Sequence, residues 1–252
     1  INFKGKDLSA LSNDQMQNIR GNRIAMIFQD PMMTLNPVLR IETQMIEAIQ
    51  AHDGSISRED ARIRSRDTLG LVGISSPDER LRAYPHQFSG GMRQRVSIAI
   101  AMLNRPDLII ADEPTTALDV TIQGQVISEM QKLCRETQTA LLWITHDLAV
   151  VAGIADRVCV MYAGRIVEQG LVADIIANPM HPYTQGLMGS VPSQNQRGKP
   201  LQQIDGMVPS MINLPVGCAF QNRCNYANEK CSKIQPDITQ VADGRQVRCF
   251  NI

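Results

Sequence analysis

An apolar run that ends in two adjacent acids, Leu108-Ile109-Ile110-Ala111-Asp112-Glu113, predicts a buried strand with a polar end. Continuous apolar runs of this length are typical of parallel strands that helices cover on both faces. Side chains alternate along a strand, so Asp112 and Glu113 point in different directions at its carboxyl end, where parallel sheets bind ligands. Such a pair suits Mg²⁺ and an attacking water, although two solvated acids in a turn have the same pattern.

Strand-like and helix-like segments alternate around this run. Residues 23–29, 140–144 and 157–162 are short apolar runs, and residues 38–51 and 57–72 carry apolar side chains at helical spacing. Strands that alternate with helices predict an α/β fold with a mostly parallel sheet between helical layers.

The character of the sequence changes after Ala177. Prolines recur, helical periodicity fades, and four of the six cysteines lie near the C-terminal end. We therefore expect one domain over residues 1–177 and a small loop-rich extension over residues 178–252.

Two further motifs flank the acidic strand. Ser89-Gly90-Gly91 precedes a helix predicted over residues 92–103, and free backbone N–H groups at a helix start can bind phosphate. Thr145-His146-Asp147 closes the strand at 140–144 and brings an imidazole to the same sheet edge. Each motif alone is more often structural, whereas the ordered set favours a phosphate-binding site.

Composition excludes other classes of protein. The 252 residues carry 25 basic and 25 acidic side chains, a net charge of zero that gives no general case for nucleic acid as a partner. No segment reaches the ~18 uninterrupted apolar residues that suggest a membrane span. The chain shows no signal peptide and starts with Ile1, so we expect it to begin inside a domain.

The ordered motifs resemble the nucleotide-binding subunits of ABC transporters. That resemblance implies a P-loop ABC ATPase core with a helical signature subdomain at about residues 30–105. The matching residues, from Q-loop to switch histidine, are Gln29, Ser89-Gly90-Gly91-Met92-Arg93-Gln94, Leu108 to Glu113, Thr116-Ala117-Leu118-Asp119 and His146.

The resemblance implies a role for each acidic or polar residue of the ATP site. Gln29 would sense Mg²⁺ and the attacking water, Asp112 would orient Mg²⁺, and Glu113 would be the general base. His146 would contact the γ-phosphate. Asp119 would bridge two subunits.

The signature would bind ATP held by the opposite subunit. The resemblance implies that Ser89 and Gly91, within the segment Ser89-Gly90-Gly91-Met92, would bind the γ-phosphate of that ATP. Gln94, with Arg93, would orient the helix that follows.

The phosphate loop of this family is absent from the sequence. No G-x-x-x-x-G-K-S/T motif occurs, since Asp7 follows Gly5-Lys6 and Pro200 follows Gly198-Lys199. We therefore expect the chain alone to lack its own ATP site, through N-terminal truncation or natural loss. A catalytically inert regulatory partner is the corresponding alternative.

Other motifs resemble the importers of dipeptides, oligopeptides and nickel. They are Phe28-Gln29-Asp30-Pro31, Tyr84-Pro85-His86-Gln87 and His181-Pro182-Tyr183-Thr184, in which His181 itself reads as a loop residue. The resemblance favours peptide import, with nickel or another small solute as the alternative. It implies a second, non-identical ATPase subunit, two permease subunits, a solute-binding protein and a peripheral location on the cytoplasmic face of a bacterial inner membrane.

The cysteines fall into two groups. Cys134 and Cys159 lie in predicted core elements and read as small buried hydrophobes. Cys218, Cys224, Cys231 and Cys249 are separated by five, six and seventeen residues, wider than the usual zinc pairs. The resemblance favours a four-iron, four-sulfur (4Fe–4S) cluster over zinc and over free or disulfide-linked thiols.

Overall fold

The chain opens with small elements ahead of the main sheet. Strands β1 (Asn2–Phe3) and β2 (Lys6–Asp7) pair in antiparallel fashion, and helix α1 (Asn13–Gln17) follows with Ser12 as its cap. Contacts divide the chain into two compact units, Ile1–His146 and Asp147–Ile252. The computed structural model describes residues 1–31, 34–116, 118, 120–191, 203–242 and 244–252.

Three of the predicted apolar runs form a parallel sheet in the first unit. The strands are β3 (Ile24–Ile27), β4 (Leu108–Asp112) and β5 (Ala140–Ile144), in the order β3-β4-β5. The acidic strand β4 is central, and Ile109 and Ala111 on it are fully buried. Asp112 and Ile144 are paired, so the polar ends of β4 and β5 meet at one edge.

Helices connect these strands and cover the sheet. Between β3 and β4 the described residues form the helices α2 (Ile41–Gln50), α3 (Arg58–Leu71), α4 (Pro77–Leu81) and α5 (Gly90–Met102). Helix α6 (Val120–Thr137) connects β4 to β5. The periodic apolar residues of α2 pack into the core as predicted, and Ser57 caps α3 by accepting the N–H of Asp60.

The second unit is built on an antiparallel sheet. Its elements are α7 (Leu148–Ile154), β6 (Arg157–Tyr162), β7 (Arg165–Leu171), α8 (Val172–Ala177), α9 (Pro182–Gly189), α10 (Glu229–Lys233), β8 (Thr239–Ala242) and β9 (Arg245–Val247). The strand order is β6-β7-β9-β8, and every neighbouring pair is antiparallel.

Two expectations for this region were wrong. The run at 157–162 does not join the parallel sheet, because the tight turn Ala163-Gly164, with φ of 47° and 76°, folds β6 directly back onto β7. Cys159 on β6 is consequently exposed, since one face of that sheet lies open, whereas Cys134 on α6 is buried as predicted.

No helix in the described ranges is long and apolar enough to cross a membrane.

Candidate functional site

Glu113 leaves the end of β4 in an unusual backbone conformation. Its φ of 43° lies in the left-handed region, which costs energy for a residue with a side chain. The N–H of Glu113 donates to the carbonyl of Ile144 at 3.0 Å, so the turn stays tied to β5. The tertiary structure thus holds Glu113 at the carboxyl edge of the sheet in a geometry that a free chain would avoid.

Three side chains converge on the Glu113 carboxylate. Gln29 Nε2 donates to Oε2 at 3.0 Å, Thr116 Oγ1 donates to the same oxygen at 3.0 Å, and His146 Nδ1 lies 3.0 Å from Oε1. The hydrogen bond to His146, followed by that from Thr116, lowers the pKa of Glu113. Residues separated by more than eighty positions therefore hold one carboxylate ionised and accessible.

The acid next to Glu113 faces a different environment. Asp112 is half-buried at the last position of β4, opposite Ile144. Glu113 lies one residue beyond the end of β4, so it belongs to the turn and not to the strand. Asp119, with Ala117, lies outside the described residues.

The glycine-rich motif forms the start of α5. Ser89 caps this helix, and its Oγ accepts the N–H of Met92 at 3.3 Å. Gly90 is open, but a Cβ on Gly91 would lie 2.6 Å from Cγ2 of Ile122. Gln94 is 1% exposed, so this predicted site residue lies inside the core beneath the motif.

Thr116 is a site residue whose contact with Glu113 the sequence reasoning missed. The sequence motif identifies Thr116 only as the first residue of the segment that ends at Asp119. The available signal was its spacing, because a hydroxyl three residues after a turn residue can reach back to it.

The four C-terminal cysteines line one small cavity in the second unit. These cysteines lie in separate loops and helices, and they are Cys218, Cys224, Cys231 and Cys249. His181 borders the same cavity. None of these four forms a disulfide bond. Among the residues that the structure describes, no three His, Cys, Asp or Glu side chains are grouped to hold a single metal ion.

Burial and backbone dipoles act on these thiols in opposite directions. Burial raises the pKa of Cys218, Cys224 and Cys249. The backbone N–H two residues further on favours the thiolate in each case; for Cys249 it is that of Asn251, 3.4 Å from Sγ. Neighbouring cysteines also raise the pKa of Cys218, Cys224 and Cys249, so a nearby cation would stabilise the thiolate forms of these three residues.

A buried ion pair lies beside the His181 motif. Glu168 is fully buried, accepts Arg245 Nη2 at 2.8 Å, and accepts the N–H groups of Met180 and His181 at 3.0 Å each. Burial alone would raise the pKa of Glu168, but Arg245, Thr184 and these N–H groups lower it. The pair therefore anchors the start of α9 to β7 and β9.

His181 lies in the loop immediately before α9, as the sequence predicts, and the structure adds that it is buried. It is 2% exposed and caps α9, with Nδ1 accepting the N–H of Tyr183 at 3.0 Å. Burial lowers the pKa of His181 to about 4, so the ring is neutral at physiological pH.

Comparison with known proteins identifies the class first. The family model described as "ABC transporter" matches residues 1–116. The dimeric structure of a post-hydrolysis state of the ATP-binding cassette MJ0796 bound to ADP and Pi is similar, with a TM-score of 0.60 and 27% identity over 68% of this chain and 72% of that chain. The fold and the site thus define an ABC-type transporter ATPase, which confirms the predicted fold class.

The family within that class follows from closer relatives. The Dipeptide transport ATP-binding protein DppD of Bacillus subtilis is 50% identical over 99% of this chain and 74% of its own length. The Oligopeptide transport ATP-binding protein OppD of the same organism is 49% identical over 99% of this chain and 70% of its own length. The family model described as "Oligopeptide/dipeptide transporter, C-terminal region" matches residues 167–231. The chain belongs to the family of peptide ABC transporter ATP-binding proteins.

Proposed function

We propose that this chain powers the import of peptides by hydrolysing ATP, with Glu113 as the general base. The observation that carries this proposal is the carboxylate held at a sheet edge between Gln29 and His146. A lowered pKa keeps Glu113 ionised, as a base that accepts a proton from water requires. Peptide is the proposed substrate class because the two relatives described above carry dipeptide and oligopeptide transport in their names.

The other residues at this edge of the sheet bind Mg²⁺ and contact the γ-phosphate in the proposed mechanism. Asp112 and Gln29 would hold Mg²⁺ through oxygen ligands, which that ion prefers. Mg²⁺ supplies charge neutralisation at the phosphates. His146 contacts the γ-phosphate, and its Nδ1 bond to Glu113 orients the ring before ATP arrives. Asp112 is half-buried, so its carboxylate would contact the ion from the exposed side only.

The start of α5 serves the ATP of a second ATPase subunit. Helix α5 is thirteen residues long, and its dipole favours a phosphate at its N-terminus. The residues at that N-terminus are Ser89, Gly90, Gly91 and Met92. Gln94 orients that helix from inside the core rather than touching ATP, because its side chain is buried. Asp119 bridges the two subunits, which we propose to be non-identical.

The assembly and its place in the cell follow from the same family. Two transmembrane permease subunits receive the motion of the ATPase pair, and a solute-binding protein delivers the peptide to them. We propose that the chain works at the cytoplasmic face of a bacterial inner membrane. The catalytic part comprises residues 1–177, with the helical subdomain at 30–105, and residues 178–252 form the family's extension.

The substitution Glu113→Gln at the natural locus tests the catalytic proposal. It keeps the shape of the side chain but removes the base, so uptake of a radiolabelled dipeptide should fall about 100-fold or more. Glu136→Gln, on the exposed end of α6, is the control and should transport normally. Normal uptake by the Glu113 variant would show that another group is the base.

We also propose that Cys218, Cys224, Cys231 and Cys249 hold a 4Fe–4S cluster. The fit is supported by their shared cavity and by the N–H groups that favour three of the thiolates. Zinc sites usually contain closely spaced cysteine pairs, and the gaps of five, six and seventeen residues between these cysteines are wider. A cluster is held at four separate corners and accepts wider spacing.

Anaerobic purification of the full chain tests the cluster. We expect about four irons and four acid-labile sulfides per chain. The control Cys159→Ala, at the exposed cysteine of β6, should retain both. Stoichiometric zinc, or metal-free protein, would overturn the cluster proposal.

A further inference from the structure

The turn that carries Glu113 needs support from outside itself. The φ of Glu113 lies at 43°, and a residue with a side chain stays in this region only where the surrounding structure fixes the backbone. The N–H of Glu113 donates to the carbonyl of Ile144, which fixes the beginning of the turn to β5. The two hydrogen bonds from Thr116 to Glu113 lie within the turn and do not attach it to anything else. The attachment of the rest of the turn therefore decides where the carboxylate lies.

Thr115 provides a second attachment. It is 4% exposed, and its hydroxyl accepts a hydrogen bond from Nε2 of Gln123 at 3.2 Å. The carbonyl of Thr115 accepts the N–H of Leu118 at 3.0 Å, so the backbone keeps turning on the way to α6. Gln123 is the fourth residue of α6. The hydrogen bond thus connects the Glu113 turn to the start of a helix.

The start of α6 is itself fixed by packing. Val126 is 1% exposed and belongs to the core of the first unit. Ile122, four residues earlier on the same side of the helix, lies so close to α5 that a Cβ on Gly91 would be 2.6 Å from its Cγ2. Gln123 follows Ile122 and is half-buried. A side chain that donates from an anchored helix to a buried hydroxyl can determine the position of the turn.

We infer that Gln123 is a positioning residue for ATP hydrolysis, holding the Glu113 carboxylate in place through its hydrogen bond to Thr115. The inference rests on the proposed role of Glu113 as the general base. It assigns the first turn of α6 two contacts, one with the start of α5 through Ile122 and one with the Glu113 turn through Gln123.

A purely structural role for Gln123 gives different expectations. A buried hydroxyl needs a partner, and Gln123 would supply one even if catalysis did not depend on it. Its loss would then lower the stability of the chain and leave the carboxylate where it is. A positioning role predicts that Glu113 moves relative to Gln29 and His146, each now 3.0 Å from one of its oxygens. A misplacement of about 1 Å can slow catalysis by as much as about 100-fold.

The substitution Gln123→Leu at the natural locus tests the effect on transport. The maximal rate of uptake of a radiolabelled dipeptide should fall about 10-fold, while the dipeptide concentration at half-maximal uptake stays unchanged. Gln125→Leu is the matched control, because it removes a hydrogen bond between the same helix and Arg95, at 2.8 Å, and none to the turn. It should transport normally. Urea unfolding of both chains shows whether they lose similar stability.

A second measurement needs no turnover. In the ¹⁵N-labelled full chain, the side-chain amide of Gln29 reports its hydrogen bond to Glu113, and the variant Gln29→Leu assigns that signal. Gln123→Leu should shift the signal, and Gln125→Leu should not.

Substitutions of Thr115 examine the same hydrogen bond from its other end. Thr115→Val removes the hydroxyl and keeps the shape, so it should shift the Gln29 signal as Gln123→Leu does. Thr115→Ser keeps the hydroxyl and should resemble the wild type. The double variant of Gln123→Leu and Thr115→Val should show no further shift, because both changes remove one interaction. This pair carries the test if Gln123→Leu does not fold.

The outcomes separate the inference from the proposed function. An unmoved Gln29 signal, or normal uptake by Gln123→Leu, overturns the inference; the role of Glu113 stands if Glu113→Gln still abolishes uptake. Normal uptake by Glu113→Gln overturns both. A shifted signal together with slower uptake, both absent in Gln125→Leu, supports the inference.

Discussion

Thr116 and Glu113 form the smallest functional unit of the site. The Thr116 hydroxyl donates to Glu113 Oε2 at 3.0 Å, and the Thr116 N–H donates to the Glu113 carbonyl at 3.3 Å. Thr116 therefore holds Glu113, the strained first residue of this short turn, through both its side chain and its backbone. Thr116 therefore acts on the carboxylate through orientation and charge.

Replacing Thr116 by Val should raise the pKa of Glu113. The change removes a hydrogen bond that favours the ionised carboxylate and keeps the side-chain shape. The pKa can be followed by NMR of ¹³C-labelled glutamate in the full chain, with the Glu113 signal assigned from Glu113→Gln.

Thr116→Ser is the matched control, since it retains the hydroxyl and should leave the titration close to that of the wild type. A Val variant that titrates as the wild type would show that the hydrogen bond does not contribute in solution.

At the scale of elements, Gly91 sets how closely α5 approaches α6. The 2.6 Å that would separate a Cβ on Gly91 from Ile122 Cγ2 is shorter than real contacts allow, and Ile122 is β-branched and stiff. Gly90, one residue earlier, has nothing within 4 Å of such an atom. The two glycines of the signature therefore have different physical roles.

Gly91→Ala should destabilise the chain by about 1–3 kcal/mol through overpacking. Gly90→Ala should be neutral or slightly stabilising, because alanine has the higher helix propensity. Urea unfolding of both variants measures the difference between their free energies of unfolding. Equal stability of the two would contradict the close contact, and Ile122→Ala should restore part of the loss in a double mutant.

In the second unit, the Glu168–Arg245 pair connects a helix start to two strands. Glu168→Gln keeps the shape but leaves the Arg245 charge buried, with its side chain only 9% exposed. The expected loss of stability is about 3–5 kcal/mol. Hydrogen exchange over residues 147–252 measures this loss within that unit.

The exposed pair Lys233–Glu229, at 3.3 Å, supplies the control. Glu229→Gln should cost about 0.5 kcal/mol or less. A Glu168 variant as stable as this control would mean that the buried pair adds no net stability.

At the scale of the whole molecule, acid should act on the two units differently. His181 titrates normally near 6.5 in an unfolded chain but with a pKa of about 4 in the fold, so the unfolded state binds the proton first. The stability contributed by neutral His181 is present above pH 6.5 and is lost as the pH falls towards 4, by about 3 kcal/mol. Glu168, whose pKa is also lowered, adds a further loss below its ordinary value of 4.5.

Hydrogen exchange at pH 7 and pH 5 tests this expectation. Residues 147–252 should lose protection more than residues 1–146. His181→Asn removes the titrating ring and should flatten the dependence over this range. The expectation would be contradicted if both units lost protection equally. It would also be contradicted if the loss of protection with falling pH were unchanged in the His181→Asn variant.

The sequence predicted the acidic strand because the information that specifies a strand is local. A continuous apolar run closed by Asp112-Glu113, with Ser89-Gly90-Gly91 before a helix, specifies strand, turn and helix start through periodicity and side-chain size. The resemblance of the ordered motifs then indicated the ATPase class, which the relatives confirm. Residue roles at the ATP site and the cluster stay predictions.

Only the tertiary structure decided which distant residues meet. Sequence spacing could not show that Gln29, Thr116 and His146 share one carboxylate, because long-range contacts depend on strand order and register. Nor could it show the antiparallel course of β6, where a two-residue turn overrode the expectation from an apolar run. His181 shows the same limit, since the motif alone could not show that its ring is buried, neutral and accepts the N–H of Tyr183.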